Sequence, residues 1–183
     1  MKKIILIISL SPIAIYSSTA QAYFRGDKQI YAGMGLVSWF VDKDQSPKLN
    51  PIGVSYEYGK SSKVSLGGYL GYAIFGHDAL YPTFWHYEYT CVLLAIKGSY
   101  HIPAGSRFDP YASLMLGYNH ASQKITTTSL YPGKAISDNK PQPGGPFVGI
   151  SVGARFFLNE RVGIYAEAGI GFVLFQAGLT IKY

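Results

Sequence analysis

From Phe147 to Tyr183 apolar and polar positions alternate almost without a break. Val148, Ile150, Val152, Ala154 and Phe156 share one parity, and Gly149, Ser151, Gly153, Arg155 and Phe157 the other. After Asn159-Glu160-Arg161 the pattern resumes, with Ile164, Ala166, Ala168, Ile170 and Phe172 against Gly163, Tyr165, Glu167, Gly169 and Gly171. A last run sets Phe175, Ala177, Leu179, Ile181 and Tyr183 against Gln176, Gly178, Thr180 and Lys182. A side-chain period of two marks β-strands whose two faces meet different surroundings. One face is uniformly apolar. The other mixes glycine with Arg, Glu, Gln and Lys, which a dry core would not accept.

The same alternation predicts five earlier strands, at Ile30–Phe40, Ile52–Tyr58, Val64–Phe75, Trp85–Tyr100 and Pro110–Tyr118. In the fourth, Leu93 fits the polar parity poorly, and Cys91 reads as a small inward or rim filler. Short turns at Gly59–Lys63, His101–Arg107 and Asn159–Arg161 alternate with longer polar connections at Asp42–Asn50, Gly76–Phe84 and Asn119–Pro146. The last hairpin, near Val173-Leu174, lacks a polar turn and reads as a truncated connection on the long-loop side. Eight strands with alternating short and long connections are the plan of an antiparallel, up-and-down transmembrane β-barrel. Rings collect at the strand ends of the apolar face: Tyr58, Tyr100, Phe156 and Tyr183 at one rim, and Phe40, Tyr72, Tyr118 and Phe172 at the other. Aromatic rims around an aliphatic band form the girdle of a lipid-facing surface. A soluble barrel or sandwich would need a charged outer coat, which the glycine-rich face does not supply.

Composition agrees with an all-β chain. Of 183 residues only 14% are charged, 21 are glycine and 16 tyrosine, a balance that favours strands over helices. Residues 1–22 read as a secretory signal peptide: Lys2 and Lys3 precede the apolar segment Ile4–Ile15, and Ala20-Gln21-Ala22 is an A-x-A cleavage site. The run falls short of the roughly 20 residues a membrane helix needs. Residues 23–183 then form one barrel domain. A single cysteine, Cys91, excludes an intramolecular disulfide. The formal charge of +6 includes the two leader lysines. What remains is too mild and dispersed for a nucleic-acid partner, which export also opposes.

These features resemble the small outer-membrane β-barrels of the OmpX and OmpA-transmembrane-domain type, including opacity-type surface antigens. The resemblance rests on the leader, Asp109-Pro110-Tyr111 at the start of the fifth strand, Tyr165-Ala166-Glu167-Ala168-Gly169, and the terminal Gly178-Leu179-Thr180-Ile181-Lys182-Tyr183. It implies residence in the outer membrane of a Gram-negative bacterium, with membrane lipid, lipopolysaccharide and the outer-membrane assembly machinery as partners. Leu179, Ile181 and Tyr183 would carry the assembly signal, with Tyr where the family usually ends in Phe.

Candidate chemistry lies first on the inward parity, where Glu57, Lys97, Arg155, Glu167 and Lys182 are the charged residues. An eight-stranded barrel is just filled by side chains, so unpaired charge inside would be costly. An Arg155–Glu167–Lys182 cluster crossing the lumen is expected as a plug, against the alternative of a gated proton or ion path in a narrow channel or small-solute porin. His120 and Ser122 set a base and a hydroxyl two residues apart, the elements of acyl transfer. Their spacing is similar to that of outer-membrane lipid A deacylases, though Gln123 stands where those have Asn and no Glu follows closely. His77-Asp78 and His86 with Glu88 supply too few ligands for a metal site, and no cofactor is expected. Lys124, Lys134 and Lys140 with Asp138 lie in the long 119–146 connection, where lipopolysaccharide phosphates or a host surface could meet them. The function expected is non-enzymatic: an envelope-structural or adhesin-like barrel acting chiefly through 119–146.

Overall fold

A computed structural model describes residues 22–37, 46–80, 84–128 and 136–183. Residues 1–21 of the expected 1–22 leader, and Phe40, lie outside the described residues. The strands are β1 (Lys28–Val37), β2 (Ser46–Gly59), β3 (Val64–Leu80), β4 (Phe84–His101), β5 (Phe108–Thr128), β6 (Ile136–Phe157), β7 (Val162–Ile170) and β8 (Phe175–Lys182). Each pairs antiparallel with its sequence neighbours, and β1 pairs with β8 to close the barrel. Ile30 faces Ile181 and Ala32 faces Leu179 across that seam. Closure satisfies the backbone groups that an open edge would leave unpaired.

Parity sets the faces as the alternation predicts. Leu94, Ile96, Val148, Ile150, Val152, Ile164 and Leu179 are exposed on the outer wall, while Glu57, Lys97, Arg155 and Glu167 are buried inside. Of the expected rings, Tyr58, Tyr100, Phe156 and Tyr183 are exposed at the short-turn end, and Tyr72 and Tyr118 at the other. Phe172 departs from expectation: it is 1% exposed and packs edge-on against Tyr69 inside the barrel. The reason is local. β7 stops at Ile170, and the hairpin closes through Gly169 N–H donating to Leu174 C=O at 3.0 Å. Phe172 therefore lies in a turn and no longer follows strand parity.

The longer connections also differ from expectation. Residues 46–50 belong to β2, β3 and β4 pair out to Leu80–Phe84, and β5 and β6 pair out to Thr127–Ile136. Most of 119–146 is thus a β-hairpin and not a loop. The sequence of 119–146 carries no apolar–polar alternation that would reveal a strand, but Thr126, Thr127 and Thr128 favour extended backbone. Pro141, Pro143 and Pro146 are tolerated because β6 pairs with β7 only from Ile150 onward. Above that point β6 is an edge strand, where a missing N–H costs least. The barrel is consequently tall along β3–β6 and short along β7, β8 and β1.

Inward glycines make room for rings. A Cβ at Gly153 would stand 2.8 Å from the Tyr111 ring, and one at Gly71 2.7 Å from Phe172. Gly153→Val is therefore expected to displace Tyr111 and destabilise the barrel by about 1–3 kcal/mol. Urea unfolding followed by tyrosine fluorescence would register this as a lower midpoint.

Candidate functional site

The inward face divides into two layers. At the short-turn end it is ionic. β6 carries Arg155 across the lumen, where it donates to Glu57 of β2 at 2.9 Å and to Asp109 of β5 at 3.2 Å. Its guanidinium carbon stands 4.3 Å from the Tyr111 ring centre and 4.7 Å from that of Tyr31. Glu57 also accepts from the Tyr31 hydroxyl, from Ser65 at 2.8 Å and from Ser99 at 3.0 Å. His101 joins the set, with Nδ1 2.7 Å from Asp109 and Nε2 3.0 Å from Ser65. Below it the Tyr23 ring stacks on His101 at 3.7 Å with a 5° interplanar angle. Burial pushes the Tyr23 phenol above the ordinary tyrosine range.

A second pair sits further in. Lys97 of β4 meets Glu167 of β7 at 2.6 Å, and Glu167 accepts from Tyr111 at 3.0 Å and Ser151 at 2.7 Å. Charge-assisted bonds of this kind are the strong ones, and here each carboxylate gathers several. Toward the long-hairpin end the lining turns apolar: Tyr69, Phe75, Leu93, Met115, Phe147 and Phe172 are buried together, with Ala73, Cys91 and Ala95 among them. Leu93, which fits no polar lumen, is a core residue of this layer.

The expected Arg155–Glu167–Lys182 cluster does not form. The tight β7–β8 hairpin sets Glu167 opposite Gln176 and Val162 opposite Ile181. Lys182 is thereby carried to the short-turn mouth, where it lies 3.6 Å from Asp27, donates to the Ala22 carbonyl at 3.1 Å and stays partly exposed. Arg155 instead reaches Glu57 on the far wall and Asp109, its cross-strand neighbour on β5. Asp109, His101, Tyr31 and Tyr111 were not marked as site residues by sequence, although their parity matches Lys97 and Arg155 and so places them inside.

His120 and Ser122 lie on the outward parity of β5, opposite Val92 and Thr90. Among the described residues His120 bonds neither to Ser122 nor to a carboxylate. The backbone register sets Asp78 opposite His86, but the side chains of His77, Asp78 and His86 lie outside the described residues, as do those of Lys134, Asp138 and Lys140. Among the described residues no three His, Cys, Asp or Glu side chains converge as metal ligands. Glu57 and Asp109 already direct their lone pairs at Arg155, Ser65 and His101. The arrangement cross-braces β2, β4, β6 and β7 through the lumen.

Removing Arg155 would strand two buried carboxylates. Arg155→Met is expected to cost about 3–5 kcal/mol, read as a lower urea midpoint of the refolded protein, and adding Glu57→Gln should recover part of that loss.

No protein-family model and no curated protein matches the sequence significantly. Solved structures do. Ail, the attachment invasion locus protein of Yersinia pestis, solved with the heparin analogue sucrose octasulfate, is 15% identical over 87% of this chain and 100% of its own, with a TM-score of 0.54. The outer membrane protein OprG of Pseudomonas aeruginosa is 12% identical over 90% of this chain and 99% of its own, with a TM-score of 0.52. The N-terminal β-barrel domain of Pseudomonas aeruginosa OprF covers 87% of this chain and 98% of its own at 16% identity, with a TM-score of 0.44. The chain has the fold of the small outer-membrane β-barrels: eight antiparallel strands, closed, with an apolar wall outside and charge within.

Proposed function

We propose that this chain is a non-enzymatic barrel of the Gram-negative outer membrane, closed through its centre, that holds long hairpins beyond the cell surface in an envelope-structural or surface-interaction role. The observation that carries the reading is the inversion of the usual globular plan. Aliphatic side chains cover the outside between two rims of rings, while Arg155, Lys97 and their carboxylates are buried inside. Water would not support so continuous an apolar belt on a free monomer, and hydrocarbon would. β1, β7 and β8, at 10, 9 and 8 residues, are about the length that crosses a bilayer once at a tilt. β5 and β6, at 21 and 22 residues, are twice that, and their upper halves would stand on the order of 20–30 Å clear of it.

Short turns then face the periplasm, and the β3–β4 and β5–β6 hairpins face outward. Membrane lipid and lipopolysaccharide surround the wall, and Leu179, Ile181 and Tyr183 on the exposed face of β8 and at its end serve as the signal to the assembly machinery. The closed lumen is supported by the ionic layer, the apolar layer beyond it and Tyr23 at the mouth. The non-enzymatic reading is supported by the place of His120 and Ser122 on the outer wall with no carboxylate bonded to the histidine.

Refolded into lipid vesicles, the protein should be β-rich by circular dichroism and run as a fast, boiling-sensitive band. In planar bilayers it should give no large stable conductance steps; such steps would favour a channel and remove the closed-lumen reading. Replacing residues 122–141 by a short turn keeps the Tyr118–Pro146 register. It should leave the boiling-sensitive band intact and abolish binding of whole cells to the surface they recognise. Retained binding would remove the hairpin from the role.

A further inference from the structure

The outer wall near the short turns is dented. Gly98 of β4 and Ala112 of β5 take outward positions between bulkier neighbours: Gly98 is in register with Leu66 and Leu114, and Ala112 with Tyr100. They floor a groove of about 580 Å³, with Leu66, Tyr100 and Leu114 as its apolar sides and Lys60 at its rim. A Cβ at Gly98 would meet nothing nearer than 4.0 Å, so the floor is open.

The rim is cationic. Arg25, Lys28, Lys60, Lys63, Arg107 and Arg161 are exposed at this end, against exposed Glu160 and half-buried Asp27. The Asp109 carboxylate is turned inward onto Arg155 and His101. Lys60 Nζ stands 5.5 Å from the Tyr58 ring centre, at the level of the aromatic rim.

An apolar trough that ends at a cation beside aromatic rings matches one kind of molecule: an acyl chain joined to a phosphate. We propose that this groove binds an anionic phospholipid of the leaflet facing the short turns, with an acyl chain along Gly98 and Ala112 and its phosphate at Lys60. The surplus of rim cations selects an anionic over a zwitterionic headgroup. A second copy of this chain is a poorer occupant, because side-by-side barrels would bring two cationic rims together. The proposal rests on the membrane reading above.

The test is native mass spectrometry of the refolded protein in mild detergent, offered phosphatidylglycerol and phosphatidylcholine with identical acyl chains. The wild type should retain one phosphatidylglycerol in preference. Lys60→Gln should lower that retention about fivefold, the contribution of one cation near an anionic surface, and Gly98→Leu should lower it by filling the floor. Both substitutions lie on the outer wall or rim, so the boiling-sensitive band should persist in each. Equal retention of the two lipids, unchanged retention in both variants, or protein dimers in place of lipid adducts would overturn the proposal while leaving the barrel reading intact. Failure of the wild type to form the folded band would overturn both.

Discussion

Pairing of β1 with β8 is the constraint from which the rest follows. Once the sheet closes on eight strands, the inner circumference is fixed, and the interior has room for side chains but little else. Every inward position must then be occupied at the right size. Glycine makes room where a ring from a neighbouring strand or turn lies over the backbone, as Gly153 lies under Tyr111 and Gly71 under Phe172. Every outward position is relieved of that demand and needs only to be compatible with hydrocarbon. Closure thus explains why one parity is chemically uniform and the other is not.

Inside so narrow a space charge is the expensive choice. Desolvating Arg155 and Glu57 is offset only because each finds several partners: Arg155 bridges two carboxylates and lies against two tyrosine rings, and Glu57 accepts from four groups. The compensation is incomplete, since Gln29, Ser55 and Thr180 are buried with side-chain atoms that have no protein partner. An apolar filling would avoid this cost. What the ionic layer adds is register. Arg155 joins β6 to β2 and β5, and Lys97 joins β4 to β7, so contacts between residues as much as 98 apart in sequence fix which walls face each other. A one-residue slip of any of these strands would turn its charged partner out into lipid.

The fold was legible because strand parity is a local property. Val148 to Phe156 and Ile164 to Ile170 announce a lipid face whatever lies across the lumen. Partner choice within the lumen is not local. It depends on register accumulated around the barrel, and the β7–β8 turn, four residues long, moved Lys182 from Glu167 to Asp27. Asp109 and His101 were readable as inward by counting from Tyr111 and Lys97, yet their positions at strand ends made them look like turn residues. Phe172 shows the reverse failure, since parity ends with the strand and a turn can bring an apolar ring back over the mouth. The upper hairpins escaped because their sequences mix polar and apolar residues with no alternation to read.

The two-layer interior supports the closed, non-conducting lumen proposed above. A chain of charges alone could pass protons or ions from one carboxylate to the next. Here the chain stops. Beyond Glu167 the polar groups thin to Gln176, whose amide is 3.4 Å from the Tyr69 hydroxyl, and then Phe75, Leu93, Met115, Phe147 and Phe172 offer no side-chain donor and, apart from the weakly accepting Met115 sulfur, no acceptor. An ion entering from the short-turn end would have to leave its carboxylates for a medium that solvates it poorly, a step far costlier than exchange between partners. The short β7–β8 hairpin matters to this because it is what lets Phe172 fold inward, where a hairpin as long as β5–β6 would have carried that position up into water. On the function proposed above, the asymmetry of the barrel, tall on one side and short on the other, would serve two ends: the tall side would supply the surface presented outside, and the short side the ring that helps to seal the interior.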